Sequence, residues 1–305
     1  MKPEVLFAVA DRLDRLADAP HPGAAPILRW CLRELEMAWT GGTAAALAHL
    51  RLRQLAALSE PPPALDGIPA RERDRLNRER FGCALPRIDD GLIMGFDPSG
   101  DGRLIVAFGD PDMCRNIATY VPGATTDLSN AAYELDRARA LRAATGPDTA
   151  VIMWLGYDAP DGADAAFERS ARAAAEPLRQ FQAGLVSTHE GPIGHMTVIG
   201  HSYGSVVVGV AERDGDLAAD DLVALGSPGM GVADAAQLRD PSHVWSSIAR
   251  NDPIQLVPGP LLGTDPWQRS FGGHHFASAP MGHAGYLDPG NPALATLAHI
   301  VRGDA

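Results

Sequence analysis

Residues 195–211 read His-Met-Thr-Val-Ile-Gly-His-Ser-Tyr-Gly-Ser-Val-Val-Val-Gly-Val-Ala, and they constrain the fold more than any other stretch. Residues 196–199 are an apolar, β-branched run of the length of a buried strand. The run breaks at Gly200-His201-Ser202-Tyr203-Gly204 and resumes as a small-residue apolar segment with helical character. A strand, a Gly-x-Ser-x-Gly turn and a helix make a nucleophile elbow. The reason is steric: the serine sits on a turn too tight for ordinary side chains beside it, so its flanking positions are glycine. Such a turn lifts the Ser202 hydroxyl above a sheet and aims a helix N-terminus at charge developing next to it. The pentapeptide alone recurs by chance in a glycine-rich chain, so the partners downstream decide its meaning.

Strand and helix patterns alternate on both sides of the elbow. Residues 92–96 and 104–108 flank an Asp-Pro-Ser-Gly-Asp-Gly turn and predict an antiparallel hairpin. That turn alternates Asp and Gly but lacks the remaining acidic ligands of a calcium loop. Further strands are expected at 116–121, 149–155, 221–225 and 244–249, and a last one ending over 276–279. Helices are expected over 70–81 (charged and solvent-facing), 128–144 with Asp127 or Thr126 as cap, 164–187 and 292–301. This alternation predicts an α/β domain over 67–305 with a mostly parallel sheet and an antiparallel N-terminal hairpin. Residues 1–66 read as a helical N-terminal region packing an apolar stripe on that domain, with Glu60-Pro61-Pro62-Pro63 as a stiff boundary.

In such sheets function gathers at the carboxyl ends of the strands. Pro122-Gly123-Ala124 follows a strand where backbone N–H groups can face a substrate oxygen; Ala124 and Tyr203 are the expected oxyanion donors, with Thr125 a possible substitute. An acid is required between serine and base in chain order. Asp252, directly after a strand and before Pro253, is preferred over Asp265 in the more irregular Gly263-Thr264-Asp265-Pro266. His283 occupies the loop before the last helix, where a base belongs. His274 and His275 come too early, and His201 sits on the elbow, where it cannot fold back onto Ser202. Ser202, Asp252 and His283 therefore form the expected catalytic set. Serine at the elbow disfavours the dehalogenase and epoxide hydrolase chemistries, which need aspartate there.

The segments Phe108-Gly-Asp-Pro-Asp112, Tyr120-Val-Pro-Gly123, Asp136-Arg-Ala-Arg-Ala140, Trp154-Leu-Gly-Tyr-Asp158, Gly200-His-Ser-Tyr-Gly204, Gly226-Ser-Pro-Gly229, Asn251-Asp-Pro253 and Gly263-Thr-Asp-Pro266 resemble a family of actinobacterial α/β-hydrolases long catalogued as a domain of unknown function. The resemblance runs from Ile68 to the C-terminus. It implies an α/β-hydrolase fold, a serine nucleophile and an esterase- or lipase-like activity. Where that family commonly carries His-Ser before its terminal tyrosine, this chain has His283-Ala284, a change that alters the pocket rather than the base.

The function expected from these readings is hydrolysis of a carboxylic ester or thioester through an acyl-enzyme on Ser202, with a small-molecule acyl substrate. Acyl transfer or cyclisation on the same residues is one alternative, and a non-catalytic binding protein on a hydrolase scaffold is another. Composition narrows the partners. A net charge of −12 without a basic cluster argues against nucleic acid and anionic membrane. Three scattered cysteines give neither a disulfide framework nor a metal site, and no cofactor is expected. The glycines of 226–231 run in the wrong order for a dinucleotide fingerprint. Charges interrupt the first apolar run at 5–10 and no uncharged run is long enough to cross a bilayer, so a cytoplasmic protein is expected. Residues 258–281, with Trp267, Phe271 and Phe276, are candidates for a lid or acyl pocket.

Overall fold

The computed structural model describes residues 65–238, 240–257 and 261–305. The chain forms helix α1 (Ala70–Phe81), strands β1 (Leu92–Asp97), β2 (Arg103–Phe108) and β3 (Asn116–Val121), helix α2 (Ala131–Thr145) and strand β4 (Thr149–Leu155). Helix α3 (Arg169–Thr188), strand β5 (His195–His201), helix α4 (Tyr203–Arg213), strands β6 (Asp221–Leu225), β7 (Val244–Ser247) and β8 (His274–His275), and helix α5 (Pro292–Arg302) complete it. The eight strands make one sheet in the order β1-β2-β4-β3-β5-β6-β7-β8. From β4 to β8 the neighbours are parallel, and β1 and β2 join as the expected antiparallel hairpin.

Burial explains the sequence pattern. Every residue of β3, β4 and β6 is buried, and these strands are mostly apolar because helices cover both faces of a parallel sheet. Two helix pairs, α3 with α4 and α2 with α5, provide that cover. Between β5 and β6 the register Gly200↔Ala224 and His201↔Leu225 brings the carboxyl ends level. The elbow and the loops after β3, β6 and β7 therefore converge at one end of the sheet.

Several expectations are corrected. Helix α1 exists, but its charged residues do not all face solvent. Arg73 and Asn77 are buried, and Arg73 Nε and Asn77 Nδ2 donate to the carbonyls of Met94 and Ile93. Asp74 accepts the N–H of Ile93 at 2.7 Å, so α1 satisfies the open side of β1. The start of α1 is capped from afar, with Asp112 Oδ2 accepting the Ala70 N–H. Helix α2 begins at Ala131, because Asp127 folds residues 127–130 into a turn by accepting the N–H groups of Ser129 and Asn130. A 3₁₀ turn, Gly162–Ala166, precedes α3. Strand β7 stops at Ser247, and the last strand is the dipeptide His274–His275 rather than residues 276–279. Phe271 and Phe276 are core residues, and Trp267 stacks on His275, so these aromatics form no lid. The expected N-terminal helices and the Glu60-Pro61-Pro62-Pro63 linker fall on residues outside those described.

Candidate active site

Ser202 follows β5 and caps α4 with φ 53° and ψ −127°, a conformation that a side-chain-bearing residue adopts at a cost of about 1–3 kcal/mol. Its N–H donates to Leu225 O at 2.9 Å, which ties the turn to β6. Glycine is required beside it for contact reasons. A Cβ on Gly204 would lie 2.2 Å from Val121 O, and one on Gly123 would lie 2.7 Å from Ser202 Cβ. The loop after β3 is thus pressed directly against the elbow.

The structure brings Ser202, His283 and Asp252 together. His283 Nε2 is 2.8 Å from Ser202 Oγ, and His283 Nδ1 is 2.9 Å from both Asp252 oxygens. A carboxylate partner assigns the proton to Nδ1, which leaves Nε2 to accept from the serine hydroxyl. Asp252 opens the 3₁₀ turn Pro253–Leu256, and its Oδ1 accepts the Ile254 N–H at 2.8 Å. The Asp252 side chain is fully buried. Burial opposes its ionisation, but the donors from His283, Tyr286 and Ile254 N–H outweigh it and hold the carboxyl below the usual carboxylate range.

Two further side chains escaped the sequence reading. Tyr286 Oη donates to Asp252 Oδ2 at 2.5 Å and accepts the Ala249 N–H at 2.9 Å, so it fastens the acid to the end of β7. Burial, and then the neighbouring carboxylate, push its own pKa up. Tyr286 was within reach of sequence reasoning, since it is the tyrosine that closes the family motif. His201, set aside because it cannot reach Ser202, donates instead through Nε2 to the backbone carbonyl of His283 at 2.7 Å. Its ring lies 4.8 Å from that of His283. Burial, reinforced by His283, pushes the His201 pKa down to about 3, so it is a neutral donor. Nothing in the sequence signals a partner 82 positions away that is a main-chain carbonyl. The loop that carries His283 is pinned elsewhere too: Gly282 N–H donates to Asn251 Oδ1, and Asn291 Nδ2 to Gly285 O.

The other candidates separate. Asp265 Oδ1 accepts the Trp267 N–H, and no bond joins Asp265 to His283. His274 stacks on Trp245. His195 and His243 share Asp221 at the amino ends of the strands, away from Ser202. Thr125, the possible substitute donor, gives its N–H to Pro160 O at 3.1 Å. Ala124 and Tyr203 instead line, with Ser202, a cavity of about 240 Å³. Among the described residues no cluster of His, Cys, Asp or Glu is arranged to hold a metal ion, and no helix is long and apolar enough to cross a membrane.

A mostly parallel sheet with serine on a strained turn after β5, an acid after β7 and a histidine before the last helix defines an α/β-hydrolase fold. A family model described as alpha/beta hydrolase matches residues 97–262. The chain is 37% identical over 211 residues to the uncharacterized protein Rv0963c of Mycobacterium tuberculosis, an alignment covering 55% of this chain and 79% of that one. It is 32% identical over 255 residues to the uncharacterized protein Rv2079 of the same organism, covering 69% of this chain. That match spans only 39% of the longer relative. Among solved structures, a hyperthermophilic esterase from Pyrobaculum calidifontis is similar at a TM-score of 0.47 and 13% identity, covering 92% of this chain and 98% of that one. The chain belongs to the alpha/beta hydrolase family, with relatives in mycobacteria, and that membership supports hydrolase chemistry in general.

Proposed function

We propose that this protein is a serine hydrolase that cleaves a carboxylic ester or thioester of a small molecule through an acyl-enzyme on Ser202. The observation that carries the reading is the continuous Ser202–His283–Asp252 chain of hydrogen bonds, with each contact at 2.8–2.9 Å. His283 Nε2 takes the Ser202 proton as Oγ attacks the acyl carbon, then returns it to the leaving oxygen or sulfur. Asp252 keeps the ring in the productive tautomer and stabilises the imidazolium. The N–H groups of Ala124 and Tyr203 receive the tetrahedral oxyanion. Tyr203 is the first residue of α4, where a helix leaves its N–H without a partner, and the Thr125 N–H is already engaged. Water then enters, His283 takes its proton, and the resulting attack frees the acid and regenerates Ser202.

Intact-mass measurement after incubation with a fluorophosphonate tests this reading. One adduct on the wild type and none on Ser202→Ala or His283→Ala is the expected result. A folded wild-type protein that acquires no adduct would overturn the proposal.

A further inference from the structure

Two cavities of opposite character adjoin one another, and Ser202 lines the first of them. The first, of about 240 Å³, holds Ser202 and is walled by Ala165, Ala166, Ile254, Val257, Leu261 and Leu262. The second is larger, about 480 Å³, and is lined by Ser227, Gln255, Thr264, Asp265 and Gln268. Pro228, Ile254 and Val257 line both, so they form the partition between the two chambers.

We propose, resting on the serine-hydrolase reading above, that the substrate is an ester joining a short- to medium-chain acyl group to a neutral, hydroxylated alcohol. The apolar chamber takes the acyl chain and the polar chamber takes the alcohol. Position supports that assignment. The apolar chamber reaches toward the loops after β3 and β4, where Ala124 and Ala166 stand. The polar chamber is lined from the loops after β6 and β7, and Ile254 and Gln255 on its wall belong to the 3₁₀ turn that Asp252, the partner of His283, opens. The leaving oxygen receives its proton from His283 Nε2, so the alcohol departs on the histidine side.

Size sets the acyl length. A cavity of about 240 Å³ is smaller than the roughly 300–1,000 Å³ of sites that enclose a drug-sized ligand. That size suits a short or medium acyl chain and leaves a long one outside. Chemistry sets the alcohol. The hydroxyl of Thr264 and the amide of Gln268 make no side-chain hydrogen bond among the described residues, and hydroxyl groups answer both as donors and as acceptors. Among the described residues no Lys or Arg lines the chamber and no cation pairs with Asp265. A phosphate-bearing leaving group, such as a coenzyme or carrier thiol, meets repulsion there, and the net charge of −12 adds to it.

The test compares kcat/KM over p-nitrophenyl esters from acetate to palmitate, and over monohexanoyl glycerol against hexanoyl-CoA, on wild-type enzyme, Ala166→Trp and Asp265→Asn. The expected profile peaks near six to eight carbons and falls at least tenfold by palmitate. Ala166→Trp moves the peak to shorter chains. Monohexanoyl glycerol exceeds hexanoyl-CoA at least tenfold, and Asp265→Asn narrows that ratio severalfold. A profile that stays flat through palmitate overturns the acyl chamber, and a preference for hexanoyl-CoA overturns the alcohol chamber. Fluorophosphonate labelling of the same samples separates these failures from a failure of the serine-hydrolase reading, which alone abolishes the adduct.

Discussion

Replacing Tyr286 with Phe removes one oxygen and tests how Asp252 is held. Tyr286 is almost fully buried, so water has no route to the gap. The lost bond to a carboxylate is worth about 1.5–3 kcal/mol, and the Ala249 N–H left without an acceptor costs about 1–3 kcal/mol more. Together about 2.5–6 kcal/mol is lost, which for a domain of this size lowers Tm by on the order of 10 °C. The kinetic effect is smaller, because Asp252 keeps the donors His283 Nδ1 and Ile254 N–H. The expected fall in fluorophosphonate labelling rate is about tenfold, equivalent to about 1.4 kcal/mol. The Tyr286 hydroxyl favours the charged carboxylate, so its loss also lets Asp252 take up a proton at higher pH, and the acid-side loss of labelling begins earlier. Scanning fluorimetry and labelling rates across pH measure all three effects. A Tyr286→Phe protein with wild-type Tm and wild-type labelling rate would refute the idea that this bond anchors the acid.

Acid sensitivity follows from His201. Its pKa is ordinarily near 6.5 and falls to about 3 on folding, so between those values the unfolded chain carries a proton that the native protein lacks. Stability therefore decreases as pH falls through this window, by about 1.4 kcal/mol per pH unit from this group alone. His201→Gln, which removes the titration, is expected to flatten the acid-side dependence of denaturant unfolding by about one proton; an unchanged slope excludes the effect. Ser202→Gly relieves the φ of 53° and is expected to raise stability by about 1–3 kcal/mol while abolishing labelling, whereas an unchanged or lower Tm shows the turn to be unstrained.

Much of this fold was legible because its elements carry unmixed signals. Strand β3 coincides with the strand expected at 116–121, and the elbow declares itself through two glycines, Gly204 pressed on Val121 O and Gly200 on the Ser205 backbone. The positions of Ser202, Asp252 and His283 could be read from loop order alone, since each follows a recognisable strand or precedes the last helix. What stayed hidden depends on neighbours distant in sequence. The charge pattern of α1 reads as a solvated face, yet Arg73 and Asn77 turn inward to the carbonyls of β1. Strand order is likewise silent in the sequence: β2 pairs with β4 rather than with β3. The role of His201 depends on a main-chain atom, which no residue pattern encodes. Asp265 and Asp252 are both Asp-Pro, and only tertiary structure separates the carboxylate beneath the histidine from the one in the polar chamber.

The fit of α1 along β1 bears on self-association. An outermost strand with unsatisfied amides and carbonyls is a template on which another chain can add a strand. Here a helix occupies that place, and Arg73, Asp74 and Asn77 supply the donors and acceptor that a neighbouring strand would otherwise offer. A truncation placed after Phe81 would keep every strand and all of Ser202, Asp252 and His283, yet it would strip β1 bare. Its failure would show first as sheet-to-sheet polymerisation in the test tube, with the hydrolytic end of the molecule still intact.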